Sequence, residues 1–143
     1  MTNKTENKIF IIAQGFYGNR VATEIKRDEA YLFLSGFASM KDFRGNIDRK
    51  IVKVPNTDNI VIVYDQNKED KYVNETFPEI YARSGATYKE HTGKEMTMYV
   101  SCEIPEINLT LHTRCFACRI DENGELQSLE KGDGEKFIEY FKI

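Results

Sequence analysis

A strict alternation of apolar and mainly polar positions over residues 96–112 is the clearest pattern in the chain. The apolar positions are Met96, Met98, Val100, Cys102, Ile104, Ile107, Leu109 and Leu111. A period of two is typical of a strand that buries one face, and Pro105-Glu106 interrupts the run where a turn would lie. The pattern predicts an antiparallel hairpin with Met98 and Val100 on its buried face and a second strand that continues to Ile120.

The N-terminal part of the chain is predicted to begin with a buried strand over Lys8–Gln14 and a half-buried strand over Arg20–Lys26. Residues 15–19 between them contain two glycines and an asparagine, which are turn residues. For residues 20–34 two alternatives stay open. Either the charged residues 26–29 form a turn before a buried strand over residues 31–34, or a helix covers most of this segment.

The middle of the chain predicts a second hairpin, formed by residues 47–54 and 59–65 about a Pro-Asn-Thr-Asp turn. Residues 66–72 are mostly charged and are predicted to be a solvated loop.

A short helix is predicted next. Thr76 precedes Phe77-Pro78-Glu79, and proline is favoured in the first turn of a helix. Gly85 indicates the end of this helix. The apolar residues near the C-terminus, from Phe137 to Phe141, predict a last helical turn or two that pack on the sheet.

These elements predict an α+β fold that is mostly antiparallel β-sheet with one or two short helices. The 143 residues are the usual size of one domain, so a single globular domain is expected over residues 8–143. Residues 1–7 are polar and are predicted to be a disordered tail.

The charge balance and the hydropathy of the chain argue against nucleic acid and membrane as partners. Twenty Lys and Arg against 23 Asp and Glu give a net charge of −3. Because a nucleic-acid-binding domain usually has a basic excess, general nucleic-acid binding is disfavoured. No apolar run approaches the roughly 20 residues of a membrane span, and no signal peptide is recognised. We therefore expect a cytoplasmic protein without membrane contact.

The three cysteines raise the question of a metal site. Cys115-Phe116-Ala117-Cys118, with His112 and Cys102, would supply four zinc ligands. In an extended strand, however, Cys115 and Cys118 point to opposite faces. With a turn at residues 105–106, Cys102 would lie opposite Leu109, roughly 20 Å from Cys115 and too far for a disulfide. The cysteines are therefore predicted to be structural and metal-free, and no helix follows Cys118 to make a redox Cys-x-x-Cys pair.

Catalytic signatures are absent from the sequence. His91 and His112 are the only histidines, and neither accompanies a nucleophile motif. Gly15 and Gly18 do not form a phosphate-binding loop, because the third glycine and the Lys-Ser/Thr pair are missing. We expect a non-enzymatic protein without a cofactor.

Aromatic residues beside arginine in predicted loops are the remaining functional signal, because such pairs are typical of binding hot spots. The candidate binding residues are Phe16, Tyr17, Arg20, Arg44, Tyr81, Arg83 and Tyr88. They favour an interaction module that docks on a larger protein as a small inhibitor or regulator, as accessory proteins of phages and mobile elements do. The alternative is a binder of a nucleotide or other phosphate compound. Exposed strand edges also allow a homo-oligomer.

Overall fold

A six-stranded antiparallel sheet forms the centre of the molecule in the computed structural model, which describes residues 7–14, 20–35 and 47–141. The strands of the described part, in chain order, are β1 (Lys8–Gln14), β2 (Arg20–Lys26), β3 (Arg49–Lys53), β4 (Ile60–Asp65), β5 (Cys102–Ile104), β6 (Leu109–Leu111), β7 (Cys115–Ile120) and β8 (Leu126–Gln127). The central sheet has the order β2-β1-β7-β4-β3, with β8 beside β7, and β5 and β6 form a separate small sheet. The predicted α+β fold, mostly antiparallel, is confirmed.

The small sheet is shorter than the alternating pattern predicted. β5 and β6 pair antiparallel with Cys102 opposite Leu111, so the predicted partner Leu109 is wrong by two residues. The reason is the turn, in which a 3-10 turn over Pro105–Ile107 is followed by Asn108 at a φ of 54°. Four residues therefore separate the strands instead of two.

Residues 96–100 do not join the small sheet. Met98 and Val100 are half-buried, so their predicted place on the core face is wrong. The second strand also ends at Leu111, and the chain bends through residues 112–114 before β7 enters the central sheet.

For residues 20–34, the structure combines the two predicted alternatives, with a strand first and a helix after it. β2 is a strand, but a 3-10 turn over Arg27–Glu29 leads into α1 (Ala30–Ser35), so the predicted strand over residues 31–34 is wrong. Two cations hold the end of α1. Lys68 Nζ donates to Leu34 O over 3.0 Å, and Arg114 Nη1 donates to Phe33 O over 3.2 Å. Carbonyls at a helix C-terminus lack partners within the helix, which explains why these distant residues stabilise it.

A continuous helical segment of 27 residues replaces the predicted loop over residues 66–72 and the short helix after it. It consists of α2 (Gln66–Lys71), a π-helical turn (Tyr72–Thr76) and α3 (Phe77–Thr92). The Asp65 side chain caps its start by accepting from Asn67 N over 3.0 Å. The predicted stop at Gly85 is wrong, because α3 continues to Thr92 and Gly93 caps its end.

The core lies on both faces of the central sheet. All six residues of β4 are buried, and the side chains of the first five alternate between two clusters. One cluster joins the sheet to β5, β6 and the C-terminal residues Phe137, Tyr140 and Phe141. The other joins it to Ala30 and Leu34 of α1. The predicted C-terminal helical turns are confirmed as 3-10 turns over Asp133–Lys136 and Ile138–Tyr140.

Candidate functional site

The most unusual feature of the surface is α3, in which no residue is buried. In the described part of the chain, the extensive contacts of α3 are with the π-helical turn and not with a strand. The chain then runs back beside the helix, where Ser84 Oγ lies 3.8 Å from Met96 Sδ and Lys89 Nζ lies 3.5 Å from Glu95 Oε1. We call residues 72–100 the arm, because they form a unit outside the layered core.

The arm has an exposed apolar face. On α3, Phe77, Ile80, Ser84 and Tyr88 follow one another at spacings of three or four residues, which places them on one side of the helix. Ile80 and Tyr88 are exposed on this side, whereas Phe77 and Ser84 are half-buried. Large apolar side chains of the arm that are over a third exposed are Val73 (37%), Ile80 (42%), Tyr88 (40%) and Tyr99 (44%). Exposed apolar residues on one side of a helix, here Ile80 and Tyr88, are typical of an interaction surface.

The base of the arm is fixed by Glu69, whose side chain is buried. Its carboxylate accepts hydrogen bonds from His112 N at 2.9 Å, from Thr113 N at 2.7 Å and from Thr113 Oγ1. One turn further, the Tyr72 ring stacks on the His112 ring with centroids 5.6 Å apart, and the Tyr72 hydroxyl accepts from Tyr99 N. The arm therefore starts from a rigid anchor. Sequence reasoning missed Glu69, since nothing distinguishes it from the other charges of residues 66–72.

The predicted site residues have different outcomes. Phe16, Tyr17 and Arg44 lie outside the described residues, and Arg20 begins β2 with a side chain that is not described. Tyr81, Arg83 and Tyr88 were grouped as one loop, which is wrong because all three are on α3. The predicted short helix that ends at Gly85 already included Tyr81 and Arg83.

On α3 these three residues do not act as one group. Tyr88 belongs to the exposed apolar face, whereas the Tyr81 ring packs against Phe77 with centroids 6.0 Å apart. Arg83 forms an exposed ion pair with Glu79 at 2.5 Å. Because residues two positions apart lie on different sides of a helix, Tyr81 and Arg83 do not combine into one binding pair.

The cysteines follow the predicted parity only in part. Cys115 and Cys118 point into opposite core clusters, which confirms the alternation. The predicted separation of Cys102 and Cys115 is wrong, because both are buried in the same core cluster, where the neighbouring Cys102 thiol and burial raise the pKa of the Cys115 thiol well above its ordinary value. The small sheet folds over the central sheet, so the two cysteines meet between layers and not along one strand. Within the described residues, no group of three or more His, Cys, Asp or Glu side chains is placed to hold a metal.

An open groove of about 520 Å³ beside β7 and β8 is the main alternative site. Its charged groups already have partners within the protein. Arg119 binds Asp133 with two hydrogen bonds of 2.7 and 2.8 Å, and Asp121 accepts from Gln127 Nε2 at 2.9 Å. Arg119 and Asp121, which a ligand in the groove would meet, are therefore already engaged within the protein.

The comparisons with known proteins add no assignment. No helix among the described residues has both the length and the apolar character to cross a bilayer. No family model, no curated protein and no solved structure matches the chain.

Proposed function

We propose that this protein is an interaction module that docks on a larger protein through the arm. The observation that carries the proposal is that α3, sixteen residues long, buries none of its residues. In proteins, most of the stability of a helix ordinarily comes from packing one apolar face. A partner that covers Ile80 and Tyr88 would supply this packing.

The spacing and charge of the arm indicate what the partner surface is like. Phe77, Ile80, Ser84 and Tyr88 have the spacing by which a helix enters an apolar groove of another protein. The neighbouring charges form pairs within the arm, Glu79 with Arg83 and Lys89 with Glu95. The partner is therefore proposed to have an apolar groove and not a strongly charged one. Occupation of such a groove would make this protein an inhibitor or regulator.

Two matched variants test the proposal. Ile80 and Ile107 are exposed to nearly the same extent, 42% and 40%, but Ile107 lies in the turn of the small sheet. The wild type, Ile80→Glu and Ile107→Glu would each be used to capture partners from native lysate, and the affinity for the captured protein would be measured by calorimetry. We expect Ile80→Glu to weaken binding at least tenfold, which is about 1.4 kcal/mol, and Ile107→Glu to bind like the wild type.

A hot spot at Tyr88 would show in the same assay, since Tyr88→Ala should cost roughly 1–3 kcal/mol of binding. Circular dichroism confirms that each variant keeps its helix content. Unchanged affinity of both Ile80→Glu and Tyr88→Ala would remove the arm from consideration. A dimer of the purified chain that Ile80→Glu dissociates would replace the larger partner by a second copy.

The alternative function, binding of a phosphate compound, stays a prediction for the segments that contain Arg20 and Arg44. A phosphate compound that co-purifies in native mass spectrometry would support it, and its affinity should fall steeply with ionic strength.

A further inference from the structure

We infer that the outer edge of β3 binds an acidic, extended segment of a partner protein as an added antiparallel strand. β3 is the last strand of the central sheet, with β4 on one side and no described strand on the other. An open strand edge is a template for pairing with another chain. The residues of this edge do not belong to the arm, so the inference is independent of the proposed function.

The register of β3 identifies the backbone groups that face outwards. Val54 N, just after β3, donates to Ile60 O over 2.9 Å, and the backbone bond at the other end of the strand falls in the same alternation. In an antiparallel pair, residues that bond the partner strand alternate with residues whose N–H and C=O point away from it. The outward groups are therefore those of Arg49, Ile51 and Lys53. No described residue forms a hydrogen bond with them, so a further strand can pair there.

The side chains of this edge are basic. Arg49, Lys50 and Lys53 are exposed, and β3 contains no carboxylate, although the whole chain has a net charge of −3. Among the described residues, Arg49 and Lys53 form no ion pair, whereas Lys50 lies 3.8 Å from Asp48. Arg49, Ile51 and Lys53 have the same parity, so their side chains lie on one face of the sheet. Two unpaired cations thus flank one apolar residue.

The charges determine which strand fits the edge. If β3 paired antiparallel with a second copy about Ile51, its middle residue, Arg49 would lie opposite Lys53 and like charges would meet. A second copy is therefore disfavoured. A strand with two carboxylates four residues apart and an apolar residue midway would place opposite charges across from Arg49 and Lys53 and the apolar residue across from Ile51. The partner segment accordingly has the pattern acidic-x-apolar-x-acidic.

Synthetic peptides test the inference with the wild-type protein. The probe is Ser-Asp-Thr-Val-Thr-Asp-Ser, blocked at both ends and labelled with a fluorophore, and the control peptide has Asn in place of both Asp. Fluorescence anisotropy at low ionic strength measures both affinities. We expect the Asp peptide to bind at least about fivefold more tightly, because each carboxylate gains an opposite charge across the strand pair. Equal affinities, or no binding of the Asp peptide at about 1 mM, would overturn the inference.

Methylation of single peptide nitrogens tests the strand pairing itself. In this register the N–H of the peptide's valine bonds β3, whereas the N–H of each threonine faces away. N-methylation of the valine should therefore weaken binding at least about fivefold, and N-methylation of the first threonine should have little effect. Equal effects would show that the peptide is held by charge alone and is not an added strand.

Two matched double variants locate the binding surface. Arg49→Glu/Lys53→Glu reverses two charges on β3. Lys8→Glu/Lys26→Glu makes the same change in net charge on β1 and β2, where these exposed residues lie opposite each other at the other side of the sheet. We expect the first variant to lose at least about tenfold in affinity for the Asp peptide and the second no more than about threefold. Ile80→Glu should bind like the wild type, which separates this surface from the arm. Equal losses in the two double variants would contradict the assignment to β3.

Two further measurements complete the test. Arg49→Glu/Lys53→Glu should bind a peptide with Lys in place of both Asp more tightly than the wild type does, and circular dichroism confirms that the variant is folded. Sedimentation of the wild type shows whether a second copy occupies the edge. A wild-type dimer that the Asp peptide dissociates would assign the edge of β3 to self-association and overturn the acidic partner.

Discussion

Glu69 shows how much one buried carboxylate does in this protein. It satisfies two backbone amides and one hydroxyl in the bend between β6 and β7. We expect Glu69→Gln to lower the free energy of unfolding by about 2–4 kcal/mol, because an amide nitrogen would face donors that remain buried. The neighbour Asp70 is exposed and bonds only Gln66 among side chains of the described residues, so Asp70→Asn should change stability by less than about 0.5 kcal/mol. Urea unfolding of the two variants measures both values, and equal losses would contradict the anchor role.

The Asp133–Arg119 pair makes stability depend on acidic pH. Hydrogen bonds from Arg119 hold the pKa of Asp133 below its ordinary value. Since the folded pKa is the lower one, the stabilisation is fully present above the unfolded pKa and is lost as pH falls through the folded pKa. Unfolding followed from pH 6 to pH 2 should show this loss in the wild type. Asp133→Asn should be less stable at pH 6 and flatter below pH 4, and parallel curves would show that another group dominates.

At the scale of elements, replacing Gly85 within α3 and replacing Gly93 just after α3 should change stability in opposite directions. A Cβ at Gly85 would meet only the Tyr81 ring at 3.5 Å, an ordinary contact within a helix. Gly85→Ala should therefore raise stability by about 0.5–1 kcal/mol, because alanine has the better helix propensity. Gly93 has a φ of 73°, where an L side chain is strained, so Gly93→Ala should lower stability by about 1 kcal/mol. Thermal melts with helix content followed by circular dichroism test both signs, and a loss in both variants would mean that the helix ends at Gly85.

The element boundaries also show where sequence patterns lose information. The alternation over residues 96–112 correctly indicates antiparallel strands, yet only Cys102–Ile104 and Leu109–Leu111 pair. Met96 instead lies against Ser84 of α3, a contact between distant parts of the chain that a period of two does not encode. The end of α1 is not encoded locally either, since Lys68 and Arg114, which lie far along the chain, donate hydrogen bonds to its last carbonyls.

At the scale of the whole molecule, the packing of the layers determines which apolar residues contribute most to stability. Ile104 of the small sheet is fully buried between layers, whereas Met98 of the arm is half-buried. Ile104→Asp should unfold the protein or cost more than about 3 kcal/mol, because its carboxylate would be buried without a partner. Met98→Asp should be much milder, since a shift of the arm can expose the carboxylate to water. Comparable melting temperatures for the two variants would place Met98 in the core after all.

The sequence by itself determined the strands of the central sheet, because a buried strand needs only its own apolar residues and the turns that flank it. Lys8–Gln14, Arg20–Lys26, Ile60–Asp65 and the opposite orientations of Cys115 and Cys118 follow from local pattern in this way. The tertiary structure alone decided the rest. A buried Glu69 and the burial of Cys102 and Cys115 in one core cluster each depend on a partner from another layer. Such partners come together only when the chain folds, because hydrogen bonds and burial act over distances in space and not along the sequence.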